Sequence, residues 1–302
     1  MDILKTPSSF FDNLPGYSFQ AHYIDVGDEH ELIMHYVDYG PSDGPIILML
    51  HGEPSWSYLY RNMINVAASS GFRVIAPDLI GFGKSDKYAN QEVYTYASHL
   101  EWLNRLIEQL ALTEINLICQ DWGGLLGLRL VAAQTEKFAA VVAANTMLPT
   151  GEHEPSEAFK AWQTYSQTTD NFNIGNIIQG ATHKETIEEV IAAYNAPFPS
   201  EKYKAGARKF PMLVPTSLDD PEAQNNKEAW EVLKTFTKPF LTAFSDKDPV
   251  TKGGEKIFQK LIPGCKGQKH TIIKNGGHFL QEDCALELIT LAIECFRGHK
   301  HG

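Results

Sequence analysis

Residues Leu117-Ile118-Cys119-Gln120-Asp121-Trp122-Gly123-Gly124 leave this chain few ways to fold. They read as a short apolar strand, a sharp turn that holds an acid, and small residues that open a helix. This is the strand–turn–helix context of a nucleophile elbow, with aspartate where the G-x-S-x-G pattern carries serine. A carboxylate is already ionised at neutral pH and needs no base to prepare it, so it can displace a leaving group from a saturated carbon. The neighbouring indole offers an N–H donor and no acceptor.

The rest of the sequence repeats the same rhythm. β-rich runs at Ile46–Leu50, Phe72–Ala76, Ile115–Cys119 and Ala139–Ala144 are interleaved with helical patterns near Ser57–Ala68, Ala97–Leu110 and Gly124–Gln134. Such alternation implies right-handed crossovers and an α/β fold, a mostly parallel sheet with helices on both faces. Two alternating segments in front, Ala21–Val26 and Glu31–Asp38, are set to pair as an antiparallel hairpin around Gly27-Asp28. The rhythm breaks after Asn145. Residues 150–220 carry helix-like segments at Ser156–Thr168 and Lys184–Tyr194, several prolines and no clear strand. Strand and helix then resume with Phe240–Phe244, a helix near Gly254–Leu261, the run His270–Ile273 and a last helix from about Phe279 to Arg297. The expectation is one core domain, residues 1–149 and 221–302, with a helical cap inserted at 150–220.

Charge and cysteine usage narrow the function. With 37 acidic residues against 26 Lys and Arg, the net charge is −11. No Lys/Arg stripe supplies the basic footprint a nucleic-acid binder needs. The longest apolar runs, such as Ile46–Leu50 and Phe138–Ala144, are strand-sized and too short to span a bilayer. Met1 to Phe11 lacks a basic segment, apolar run and cleavage site, so no signal peptide is expected. Cys119, Cys265, Cys284 and Cys295 form no C-x-x-C pair, which points to reduced, buried thiols and a cytoplasmic protein. Gly83-Lys84-Ser85 ends like a phosphate-binding loop but has Asp78 where the first glycine belongs, so Gly81–Asp86 reads as a turn. His299 and His301 sit in the terminal tail, no metal-site spacing occurs, and neither a metal nor an organic cofactor is expected.

With Asp121 as nucleophile, an acid and then a histidine should follow in chain order. After Phe240–Phe244 come Ser245-Asp246-Lys247-Asp248-Pro249-Val250, and after His270–Ile273 come Lys274-Asn275-Gly276-Gly277-His278-Phe279. Both lie past the carboxyl ends of expected parallel strands, where open α/β sheets place their ligands. His278, behind two glycines and ahead of an apolar helix, is the expected base. Asp248, directly before Pro249-Val250, is its expected partner. Asp246 is the alternative, with turn capping as its other role. For an oxyanion hole, His51-Gly52-Glu53-Pro54 offers the Glu53 backbone N–H beside that of Trp122. The same segment also reads as a plain strand-to-helix turn.

With these residues in place, the chain resembles the haloalkane dehalogenases of the α/β-hydrolase superfamily, from about Tyr17 to near Phe296. The resemblance rests on His51-Gly52-Glu53-Pro54-Ser55-Trp56-Ser57-Tyr58-Leu59-Tyr60-Arg61, on Gln120-Asp121-Trp122-Gly123-Gly124 and on Gly277-His278-Phe279. It implies an α/β-hydrolase fold with a helical cap, and hydrolysis of a haloalkane to an alcohol, a halide and a proton through an ester on Asp121. Many dehalogenases carry, at the place of Glu53, an asparagine whose amide helps bind halide. Glutamate, if ionised, has only acceptors and repels a halide. Those relatives also place their acid after the strand ending at Ala144, where this chain has Asn145. Both departures resemble the subfamily with its acid after the following strand and a second halide-binding tryptophan in the cap. That tryptophan is Trp162, beside Trp122; Trp56, Trp102 and Trp230 lie outside the expected cap. The implied partners are a small halogenated alkane, halide ion and water, and a monomer is expected. Epoxide hydrolases share the Asp-Trp-Gly-Gly run and use cap tyrosines to protonate the epoxide oxygen, so Tyr165, Tyr194 and Tyr203 keep that alternative open.

Overall fold

The computed structural model describes residues 2–298, so His299 and His301 lie outside the described residues. In chain order the strands are β1 (Ile3–Leu4), β2 (Ala21–Asp25), β3 (Ile33–Tyr39), β4 (Ile46–Leu50), β5 (Arg73–Pro77), β6 (Lys87–Tyr88), β7 (Ile115–Gln120), β8 (Phe138–Ala144), β9 (Phe240–Ser245) and β10 (Thr271–Ile273). Eight of them form one sheet in the order β10-β9-β8-β7-β4-β5-β3-β2, while β1 and β6 pair as a separate ribbon. From β10 to β5 every pairing is parallel, and β5–β3 and β3–β2 are antiparallel. Parallel strands are covered by helices on both faces and so read as continuous apolar runs. All of β7 and β9 is buried, whereas β2, at the sheet edge, is half-exposed along its length.

The helices are α1 (Arg61–Ser69), α2 (Tyr96–Gln109), α3 (Trp122–Ala133), α4 (Glu157–Thr168), α5 (Ile174–Ala181), α6 (Glu188–Asn195), α7 (Ala205–Lys209), α8 (Pro221–Leu233), α9 (Glu255–Leu261) and α10 (Leu280–Arg297). Several start on side-chain caps that satisfy the free first-turn amides. Thr95 and Ser98 exchange bonds at the head of α2, Ser156 caps α4, and Asp220 caps α8 ahead of Pro221. No helix of the described residues is long and apolar enough to cross a membrane. The four cysteines are free; Cys284 is half-buried, unlike the other three, and departs from the expectation of buried thiols.

Two helices differ from their expected limits for a visible reason. The helix expected at Lys184–Tyr194 begins only at Glu188. The backbone N–H of Lys184 donates to Asp283 Oδ1 and that of Thr186 to Gln179 Oε1, so the amides that would open the helix are already taken. The helix expected from Ser57 opens instead as a 3₁₀ turn, Ser57–Tyr60, whose first amide donates to the buried Asp78 carboxylate. Asp78 also accepts from Lys84 N–H, and its backbone oxygen from the Ser85 hydroxyl, so Gly81–Asp86 is the turn its sequence suggested.

The strand order locates the functional crevice. β5 lies on one side of β4 and β7 on the other, so the direction of winding reverses between β4 and β7. In open α/β sheets the carboxyl ends flanking such a switch point diverge and leave a cleft for ligands. Here those ends carry the His51–Pro54 loop and Asp121. Close approach of α3 to β4 depends on glycine: a Cβ on Gly123 would sit 2.0 Å from the Leu50 carbonyl oxygen, which is backbone and cannot swing away. Gly123→Ala should therefore destabilise the protein by about 1–3 kcal/mol or more. Urea unfolding would show a lowered midpoint at unchanged slope; an unshifted midpoint would contradict this packing.

Candidate active site

Asp121 is held at φ 51°, ψ −126°, a conformation costly for a residue with a side chain. Its backbone is pinned on both sides. The N–H donates to Asn145 O at 3.0 Å, and the carbonyl accepts from the Thr146 hydroxyl at 2.7 Å and from Gly124 N–H at 2.8 Å. The carboxylate is thereby aimed across the cleft, where the Glu53 backbone N–H donates to Oδ1 at 2.7 Å. Gly52 permits this approach, since a Cβ there would lie 2.4 Å from the same oxygen. Trp122 opens α3 immediately after the carboxylate, so the positive end of the helix dipole faces the negative charge.

His278 stands between two carboxylates. Its Nε2 is 3.5 Å from Asp121 Oδ2 and its Nδ1 is 3.1 Å from Asp248 Oδ2. Asp248 is buried and fixed by Val250 N–H, at 2.8 Å, and by the Thr251 hydroxyl. Asp246, the alternative partner, accepts from Asn275 N–H at 2.8 Å and lies near the ammonium groups of Lys247 and Lys274. It caps a turn. Burial alone would lower the His278 pKa, but the Asp248 charge and the hydrogen bonds and charge from Asp121 outweigh it and raise the group to about 10. Burial likewise pushes Asp248 up, yet the imidazolium charge and the bonds it accepts hold it below its ordinary value.

Two amides not singled out from the sequence complete the frame. The Asn145 side chain donates to Ser245 Oγ and to the carbonyls of Gly277 and His278, at 2.8, 2.9 and 3.0 Å, and accepts from Ser245 N–H. Gln120 places its amide nitrogen 3.2 Å from both Nε2 and the backbone oxygen of His278. Both follow a pattern the sequence does contain, a polar residue at the carboxyl end of a parallel strand.

These groups open into a cavity of about 420 Å³ between the sheet end and helices α4 and α5, walled by Leu125, Phe159, Ile177, Val214 and Phe279. Of the five tryptophans, Trp122 and Trp162 line it. Trp56 and Trp230 spend their indole N–H groups on the carbonyls of Ala193 and Leu148. The Glu53 side chain also lines the cavity; it is 4% exposed and its buried Oε1 has no hydrogen-bond partner. Burial and the Asp121 charge push its pKa well up, and the opposing influence of His278 and the Trp162 N–H does not offset them. Both upward influences favour the neutral acid, which lacks the charge by which a carboxylate repels a halide. Among the described residues no tyrosine lines the cavity: Tyr165 is exposed, and the Tyr194 hydroxyl is bonded to Glu282.

The arrangement can be set against known proteins. A family model for the alpha/beta hydrolase fold matches residues 45–284. A haloalkane dehalogenase of Psychrobacter cryohalolentis is 55% identical over 296 residues, covering 97% of this chain and 98% of that protein. Another, from Mycobacterium marinum, is 47% identical over 290 residues, covering 95% and 97%. The solved structure of a haloalkane dehalogenase from Paraglaciecola agarilytica, described as tetrameric, matches with a TM-score of 0.92 at 33% identity over 100% of both chains. The chain belongs to the haloalkane dehalogenases, hydrolases of the α/β-hydrolase fold that act on carbon–halide bonds.

Proposed function

We propose that Asp121, His278 and Asp248 act as nucleophile, base and orienting acid in the hydrolysis of small haloalkanes. The observation that carries this reading is an elbow carboxylate with one oxygen held by Glu53 N–H and the other 3.5 Å from His278 Nε2, at the end of an apolar cavity. Asp121 Oδ2 attacks the halogen-bearing carbon, the new C–O bond forms as the carbon–halogen bond breaks, and halide departs. The indole N–H groups of Trp122 and Trp162 stabilise the charge that grows on the halogen. Water then attacks the ester carbonyl with His278 as base, and the oxyanion is received by the backbone N–H groups of Glu53 and Trp122. His278 returns the proton as the ester C–O bond breaks, which frees the alcohol.

The electrostatics support that order. At rest the imidazole holds its proton between two carboxylates. Ester formation neutralises Asp121 and removes one of the influences that raise the His278 pKa. The imidazole thus holds its proton less tightly at the step that needs a base, although the Asp248 charge still supports it.

Segment 150–220 acts as the cap over a core of 1–149 and 221–302, and supplies Phe159, Trp162, Ile177 and Val214 to the cavity. The scheme calls on no group from a second chain, and a monomer is the working unit we propose. The unpaired cysteines support a cytoplasmic location. With no cavity tyrosine among the described residues to protonate an epoxide oxygen, the epoxide hydrolase alternative lacks its proton donors.

Three outcomes follow. His278→Phe should still release about one equivalent of bromide from 1,2-dibromoethane, then stall, because a positioned base contributes about 10²–10⁴-fold. Mass spectrometry would find the alkyl group on the Asp121 peptide; an unmodified peptide would remove Asp121 from its role. Chloride or bromide titration should change the indole fluorescence, and Trp162→Phe should weaken the apparent affinity by about tenfold, the size of one lost hydrogen bond of about 1.4 kcal/mol. An identical titration would exclude Trp162. Glu53 has a folded pKa raised above its unfolded one, so its contribution to stability is intact below pH 4.5 and is lost as pH rises through the folded value. Glu53→Gln should thus gain on the native protein between pH 4 and pH 8, by about 1.4 kcal/mol for each pH unit over which the unfolded carboxyl is ionised and the folded one is not. Urea unfolding at both pH values checks this; a difference independent of pH would show that Glu53 is ionised.

A further inference from the structure

Asp283 is a buried carboxylate that the scheme above does not use. It lies in the first turn of α10, where an acidic side chain ordinarily favours its own helix terminus. Here it faces elsewhere. Oδ2 accepts from Gly277 N–H at 2.7 Å and from His183 N–H at 2.9 Å, and Oδ1 accepts from Lys184 N–H at 2.8 Å and from His183 N–H at 3.1 Å. Gly277 precedes the proposed base, while His183 and Lys184 belong to the segment between α5 and α6. A bond in the opposite direction reinforces the join: His278 N–H donates to Ala181 O at 2.8 Å. The two segments touch so closely that a Cβ on Gly277 would sit 2.4 Å from the Ala181 oxygen. Ala181, Thr182 and His183 line the cavity on this side.

We propose that Asp283 is a positioning residue that locks segment 181–184 of the cap to the His278 loop, so that seating of the cap and alignment of the base are set together. The clamp consists of backbone amides on both sides and one carboxylate between them. Its partners are main-chain groups, so no change of side chain at 183 or 184 short of proline removes them. Loosening it shifts the ring of His278 relative to the ester carbonyl. The Asp121 carboxylate is held by the Glu53 N–H and its backbone by the Asn145 carbonyl and the Thr146 hydroxyl, none of them a partner of Asp283, and it keeps its attack geometry. Asp283 accordingly acts on hydrolysis of the ester and leaves its formation alone. This rests on the nucleophile and base assigned under the proposed function.

The test is Asp283→Asn, which keeps the shape but turns an NH₂ group toward at least one amide N–H that needs an acceptor. A misplacement of about 1 Å at a reacting group is worth about 10²-fold, so a fall of about 10–100-fold in the hydrolysis rate is expected. When hydrolysis alone slows, kcat and KM fall together and kcat/KM with 1,2-dibromoethane stays within about twofold. Rapid quenching then finds the ester accumulated on Asp121, and Asp283→Glu, which restores two acceptors, recovers part of the rate. A fall in kcat/KM equal to that in kcat, or unchanged kinetics, overturns the proposal. If Asp283→Asn does not fold, Lys184→Pro deletes one clamped amide from the cap side and should give the same split; kinetics like those of the native enzyme overturn it. Amide exchange separates this from the chemistry. Gly277, His183 and Lys184 should be protected together in the native enzyme and lose protection together in Asp283→Asn, whether or not any haloalkane is turned over. Independent exchange at the three sites also overturns the clamp, whereas absence of halide release by the native enzyme counts against the proposed function alone.

Discussion

The hydrogen bond from the Glu53 backbone N–H to Asp121 Oδ1, 2.7 Å long, ties the loop after β4 to the turn after β7. It does so across the one place where the sheet changes its direction of winding. A backbone at φ 51°, ψ −126° costs about 1–3 kcal/mol, and a hydrogen bond to a charged acceptor returns about 1.5–3 kcal/mol. The two are of the same size. The conformation therefore persists because the Asn145 carbonyl, the Thr146 hydroxyl and the first turn of α3 add to the carboxylate's own bond. Occupying Oδ1 also differentiates the two oxygens. One is spoken for by a main-chain amide and the other is left to the cavity and to His278.

Around that carboxylate stand the His278 imidazole, the Asp248 carboxylate behind it and the buried Glu53 carboxyl. Their protonation states form a single coupled system. Asp248 and Asp121 both raise the His278 pKa, and the Asp121 charge adds to burial in raising that of Glu53. Loss of that charge would relax both shifts together, since it removes one raising influence from His278 and one from Glu53. Because Glu53 remains desolvated, burial still favours its neutral form.

Much of the frame is legible locally. The parallel strands show themselves as short β-branched runs because both of their faces are buried, and β4 begins and ends where its sequence suggests. Asp121, Asp248 and His278 stand out for the same reason, each following a strand end by a few residues. The cap is less legible. Gly175 and Gly180 mask α5, α7 is five residues long, and α6 starts late because its leading amides are drawn to Asp283 and Gln179. Trp162 stands in the cavity wall, yet nothing in its helical spacing separates it from a packing residue; only the resemblance pointed to it. Least visible are the side chains whose partners lie far along the chain. Asn145 bonds to Ser245 and Gly277, 100 and 132 residues away, and Asp283 to His183, 100 residues away. A local window holds no trace of such pairs.

Other polar bonds between distant residues gather at two seams beside the cavity. The cap enters after β8 through Leu148 and Pro149, whose carbonyls accept from Trp230 and Asn226 of α8, and Arg129 of α3 pairs with Glu222 of α8. On the far side, Arg61 of α1, Glu282 of α10 and Tyr194 of α6 form a buried cluster beside the Asp283 clamp. A buried ion pair returns little net stability once desolvation is counted, so stability is a poor account of why both seams are polar. Direction is a better one. Apolar packing lets helices slide by fractions of a turn, whereas hydrogen bonds to fixed carbonyls and amides admit one register. Confining those bonds to the seams leaves the cavity between them lined mainly by apolar side chains. Charges and N–H dipoles set against such walls are screened less than they would be in water.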